Sequence, residues 1–168
     1  MKKEQKVTLT LFMIYLIILT WLILFKMQFS LSALDYPRQI NLIPFNGSVI
    51  TNGKIDFDEI INNALVFIPV GVYLGMLMTD QALFKKIGVV LAISLAYETL
   101  QFIFAIGASD ITDLISNTLG GIVGIAIVYL LSLALKDKTA KILNRIAIVC
   151  TVLLVVFLAT LMSANNLF

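Results

Sequence analysis

Five apolar runs, each about as long as a bilayer crossing, constrain this chain more than any other feature. A hydrocarbon core about 30 Å thick takes roughly 20 residues of helix. Backbone polar groups inside it must be satisfied within the segment, so such runs read as membrane-spanning helices. They cover about residues 7–25, 60–79, 87–106, 110–135 and 142–162. The expectation is an all-α integral membrane bundle of about five transmembrane helices, a single domain over residues 1–168. Between the first two runs lies a polar loop, 26–59, with Pro37, Pro44, Gly47, Gly53 and the acids Asp56, Asp58 and Glu59. The chain is 60% hydrophobic and 13% charged, whereas soluble domains are about half apolar and a quarter charged. The first run follows Lys2, Lys3 and Lys6, as a signal peptide would, but no small-residue cleavage site follows Phe25. It reads as a retained helix.

Basic residues set the orientation. Nine of the twelve Lys and Arg residues lie in three segments on one side: Lys2, Lys3 and Lys6, then Lys85 and Lys86, then Lys136, Lys138, Lys141 and Arg145. The positive-inside rule then puts the N-terminus in the cytoplasm, the loop 26–59 and the C-terminus outside, in a multi-pass protein of the cell membrane. A net charge of +2, thinly scattered, gives no basis for nucleic-acid binding. The chain has no histidine, which removes an imidazole base, a His-based triad and His-ligated zinc. Its one cysteine, Cys150, sits in an apolar run and reads as packing. No cofactor is expected, although carboxylates and carbonyls would suit a divalent cation such as Mg or Ca.

The informative residues are the polar ones inside the apolar runs. Glu98 falls in the outer half of the third helix, where a central acid costs about 2.5–3.5 kcal/mol on insertion scales. Eleven Ile, Leu, Val and Phe residues in that run offset this at about 0.3–0.6 kcal/mol each. The helix can therefore insert with Glu98 facing the protein interior. Ser94 and Gln101 extend one polar stripe with it. Asp110, Asp113, Asn117, Gly121 and Gly124 make a second stripe on the fourth helix, within about 80° of its circumference. The short turn 107–109 makes these helices a hairpin, with Glu98 expected near the depth of Asn117 and Gly121. Structural roles compete: Asp110 as a helix N-cap, Asp113 as a first-turn acid, Asn62 and Asn63 as caps of the second helix, and Asn117 as a helix–helix contact. Gly71 with Gly75, and Gly120 with Gly124, form GxxxG pairs that read as close packing.

The segments Asn41-Leu-Ile-Pro-Phe45, Asn63-Ala-Leu-Val-Phe-Ile-Pro-Val-Gly71, Glu98-Thr-Leu-Gln-Phe102 and Asp110-Ile-Thr-Asp-Leu-Ile-Ser-Asn-Thr-Leu-Gly-Gly121, with Trp21-Leu-Ile-Leu-Phe-Lys26, together resemble the VanZ family. The resemblance runs over about residues 7–135, in order. It implies a membrane accessory of low-level resistance to teicoplanin and related lipoglycopeptides in Gram-positive bacteria. No catalytic residue carries over from it. Asn63, Glu98, Gln101, Asp110, Asp113, Asn117, Arg38 and Asn41 are therefore candidate ligand-binding positions.

Three functions remain open. One is a non-enzymatic protein of the outer membrane face that alters how a lipoglycopeptide or a lipid-linked cell-wall precursor meets the bilayer. The second is a carboxylate- or metal-dependent enzyme acting on a lipid-linked headgroup, with Glu98, Asp110 and Asp113 as its acid–base and metal set. The third is a small proton-linked transporter built on Glu98, which with so few helices would require an oligomer. In each case the lipid bilayer is the first partner. The topology is tested by cysteine probes read with impermeant reagents on intact cells. Probes at Ser32 and Ser163 are expected to label from outside and one at Lys138 is not; labelling at 138 reverses the orientation.

Overall fold

The computed structural model describes residues 3–25, 40–45, 50–51, 54–55, 57–105 and 109–164. Five helices carry the fold: α1 Lys3–Phe25, α2 Phe57–Leu77, α3 Leu83–Phe104, α4 Ile111–Leu135 and α5 Thr139–Ala164. Among the described residues four helical runs are long and apolar enough to cross a membrane, one fewer than the five expected. The difference lies in the last run, Ile111–Thr160, whose 50 residues join α4, a 3-10 turn at Lys136–Lys138 and most of α5. That is over twice the length of one crossing. At the join Lys136 takes a positive φ of 50°, and its N–H returns to the Ser132 carbonyl.

Most helices begin three or four residues before the expected limits. α2 opens at Phe57, with Asp58 and Glu59 in its first turn, where acids favour the positive end of the helix dipole. Asn62 and Asn63 are therefore inside the helix, and the capping role expected for them does not hold. Short extended pieces flank the helices. β1, Ile40–Asn41, pairs in parallel with β4, Ser109–Asp110, and β2, Ile50–Thr51, pairs antiparallel with β3, Lys54–Ile55. Most of the loop expected at 26–59, Arg38 and Asp56 included, lies outside the described residues.

The centre of the bundle is the contact between α2 and α4, which run in the same direction. A Cβ on Gly71 would strike the Gly121 carbonyl, one on Gly120 the Ala64 carbonyl, and one on Gly124 the Ile68 carbonyl. The two GxxxG pairs thus lie against each other's helices, backbone on backbone. Lipid tails are as apolar as leucine, so this close approach, rather than a hydrophobic drive, holds the two helices together. α3 crosses the other side of α4, with Val90 seated on Gly121. α1 closes the open side of α2, where the ring of Phe12 lies 5.4 Å from that of Tyr73. The Tyr15 hydroxyl donates to the Val66 carbonyl at 2.6 Å, in the turn that Pro69 disturbs by lacking an N–H. α5 lies along α1, pinned by Asn144, whose side chain accepts from Thr8 at 2.9 Å and donates to the Glu4 carboxylate at 3.1 Å. Beyond that contact α5 presents Val149, Val152, Leu153, Val156 and Phe157 outward, an apolar face fit for lipid.

The glycine contacts give a direct test. Gly71→Ala or Gly120→Ala is expected to lower the stability of the detergent-purified protein by about 1–3 kcal/mol, the range for overpacking. Gly88→Ala, whose Cβ would meet nothing within 4 Å, is expected to leave it unchanged. Equal behaviour of all three in thermal unfolding would contradict the packing.

Candidate functional site

The polar residues gather at the end of the bundle opposite the start of α1, around the first turn of α4. Asp110 stands in extended conformation, φ −123° and ψ 130°, and its Oδ1 accepts from the Thr112 N–H at 2.7 Å. It is the N-cap of α4, satisfying a donor that the helix leaves unpaired. Its Oδ2 accepts from the Asn41 side-chain amide at 3.0 Å, while the Asn41 Oδ1 accepts from the Ile43 N–H at 3.1 Å. The Phe45 N–H donates to the Thr112 hydroxyl at 3.0 Å. The segment Ile40–Phe45 is thereby strapped across the mouth of the α3–α4 hairpin, in register through the β1–β4 pairing. Thr112, fully buried, joins the site beyond the residues expected from the sequence; its place between two acids in a first turn is the signal for it.

Glu98 completes the knot from α3. Its Oε2 accepts from the Asp110 main-chain N–H at 3.0 Å, and its carbonyl accepts from the Ser109 hydroxyl at 2.7 Å. An acid that would be costly alone in a membrane is thus tied to the start of the next helix. Glu98 does not lie level with Asn117 and Gly121, as expected. Those residues face Ser94 and Val90, one turn and two turns earlier in α3, and Glu98 is drawn instead to the Asp110 N–H.

The α4 stripe faces inward, with Asp113 only half-buried, and its partners come from two helices. Asp113 accepts from the Asn63 amide of α2 at 2.6 Å. Asn117 donates to the Ser94 hydroxyl of α3 at 3.0 Å. Gln101 leaves the group: its amide points to the Ile23 carbonyl of α1 at 3.4 Å. The Tyr97 hydroxyl, 3.0 Å from that of Thr20, ties α3 to α1 nearby. The side-chain oxygens of Gln101 and Asn117 are buried without a hydrogen-bond partner among the described residues. Of the expected positions, Asn41, Glu98 and Asp110 are joined at the hairpin mouth, Asn63 pairs with Asp113 and Asn117 with Ser94 deeper in the bundle; Gln101 is set apart, and Arg38 lies outside the described residues.

Above Glu98 and Asp110 is a cavity of about 260 Å³, walled by Ile40, Leu42, Leu95, Phe102 and Leu114. Several of its walls, Ile40, Leu42 and Leu95, are exposed on the bundle surface, so the cavity opens sideways, where lipid would lie. It is apolar, with a polar floor. Among the described residues no three Asp, Glu or Cys side chains converge to hold a metal ion. Glu98, Asp110 and Asp113 each accept a hydrogen bond from a different group.

The VanZ/LLP1 family matches residues 12–132, from the body of α1 to near the end of α4. Protein VanZ of Enterococcus faecium is 42% identical over 147 residues, 86% of this chain and 86% of that protein. No solved structure matches. The matched stretch contains the glycine contact, the Asp110 knot and the cavity above it: the chain belongs to the VanZ/LLP1 family.

Proposed function

We propose that this protein acts in the cell membrane, with its N-terminus in the cytoplasm, and confers low-level resistance to teicoplanin and related lipoglycopeptides without catalysis. The Asp110 end of the bundle then lies in the outer leaflet. A lipoglycopeptide holds to the membrane by its acyl chain, at about 0.8 kcal/mol per buried CH₂. A groove that takes that chain, or the lipid tail of a cell-wall precursor, shifts where the antibiotic sits relative to its target.

One observation carries the reading. The cavity has apolar walls open to lipid, while the two acids that line it, Glu98 and Asp110, hold the Asp110 N–H and the Thr112 N–H with the Asn41 amide. Such a floor suits holding a lipid chain with a polar head nearby. Each carboxylate holds a separate donor, which supports a binding role over a metal ion shared by all three.

Two measurements test this. Expressed in a susceptible Gram-positive host, the protein is expected to raise the inhibitory concentration of an acylated glycopeptide several-fold and leave its deacylated form unaffected. Equal protection against both contradicts the acyl-chain reading. Purified protein given a lipid-linked precursor and Mg is expected to bind it saturably with no product, and turnover would make it an enzyme. Glu98→Gln separates scaffold from function, because the amide oxygen can still accept from the Asp110 N–H. The variant is expected to accumulate normally and lose resistance; full resistance would reduce Glu98 to a structural acid.

A further inference from the structure

A second pocket, of about 590 Å³, lies at the opposite end of the bundle, where α2 ends, α3 begins and α4 finishes. This is within the range of about 300–1,000 Å³ typical of small-molecule sites. It is graded along its length. Thr79, Lys86 and Ser132 line it at the helix ends, with Tyr129 one turn deeper. Ile122, Ile125 and Ala126 continue it toward the middle of the bundle. From Ser132 to Ile122 the rise along α4 is about 15 Å, half of a bilayer core. One rim is cationic and hydroxylated; the rest is apolar.

Lys86 is the group that needs a partner. It is half-buried in the fourth position of α3, and its ammonium has no hydrogen bond or ion pair among the described residues. Its neighbour Lys85 is exposed, does not line the pocket and donates to Gln81 Oε1 at 3.2 Å. The positive end of the α3 dipole adds to the field at Lys86. The same end of the bundle carries Lys3, Lys6, Lys136, Lys138, Lys141 and Arg145 against Glu4, Asp80 and Asp137. Charge and shape there match an anion with a hydrocarbon tail. Basic pockets between transmembrane helices are a known setting for acidic headgroups.

We propose that this pocket binds an anionic phospholipid, its phosphate held by the Lys86 ammonium and the Tyr129 hydroxyl and one acyl chain lying over Ile122, Ile125 and Ala126. The lipid bridges α3 and α4 at the end opposite the polar knot. Its binding is independent of the reading given for the outer cavity.

The test uses the full-length protein in detergent, with retained lipid measured by native mass spectrometry. The probes are phosphatidylglycerol and phosphatidylcholine with identical chains. Wild type is expected to prefer phosphatidylglycerol by about tenfold, the effect of one charge-assisted contact. Lys86→Gln is expected to abolish the preference, Lys86→Arg to keep it, and Lys85→Gln to change it less than about twofold. Ala126→Phe fills the apolar part and is expected to reduce retention of both lipids. Equal loss in Lys85→Gln and Lys86→Gln means general surface attraction and overturns the site. So does equal retention of the two lipids by wild type, or displacement of phosphatidylglycerol by equimolar inorganic phosphate.

Discussion

The carbonyls of Ala64, Ile68 and Gly121 lie where the Cβ atoms of Gly120, Gly124 and Gly71 would stand. Only glycine lets two helices meet so closely, and in lipid such contact is what replaces the hydrophobic effect. Once α2 and α4 are fixed at this distance and in parallel, Asn63 falls opposite Asp113 and the polar stripe of α4 is turned inward. α3 then packs on the remaining side through Val90 at Gly121, which brings Ser94 to Asn117 and Glu98 to the start of α4. The polar knot therefore depends on a packing surface that carries no functional group of its own.

The knot also solves a problem of the medium. Each helix end leaves donors or acceptors unpaired, and lipid supplies none. At the α3–α4 connection the Asp110 carboxylate serves the Thr112 N–H, the Glu98 carboxylate serves the Asp110 N–H, and Thr112 serves the Phe45 N–H. Three side chains thus close the junction and hold the Ile40–Phe45 strap over it. The same arrangement leaves an apolar pocket with an acidic floor on the surface of the bundle. Scaffold and site are built from the same residues, which is why Glu98→Gln, preserving the acceptor while removing the charge, separates them.

Much of this was legible in the sequence. Hydropathy marks each helix to within a few residues, because a bilayer crossing fixes both length and composition. The N-cap role is one of two readings open for Asp110 at the start of an apolar run, and the structure gives it that role. The glycine spacing of 71 and 75, and of 120 and 124, announces close contact, yet not which glycine meets which carbonyl. Partner choice was the harder part. Ser94 and Gln101 lie on the same face of α3, two turns apart, but one meets α4 and the other α1, because a packed helix changes neighbours along its length. The register of Glu98 differs from the expected one by one to two turns, for a local reason, its hydrogen bond from the Asp110 N–H. Asn144 and Thr8, both buried, were read as parts of apolar runs, since nothing along the chain announces a contact between its two ends.

The most direct measurement is where an acyl chain comes to rest. A lipoglycopeptide carrying a photoreactive group at the tip of its chain, cross-linked to the protein in membranes and mapped by mass spectrometry, is expected to label Leu95, Phe102 and Leu114 around the cavity at Glu98 and Asp110. Labelling spread evenly over the lipid-facing side of α5, at Val152, Val156 and Phe157, would contradict it.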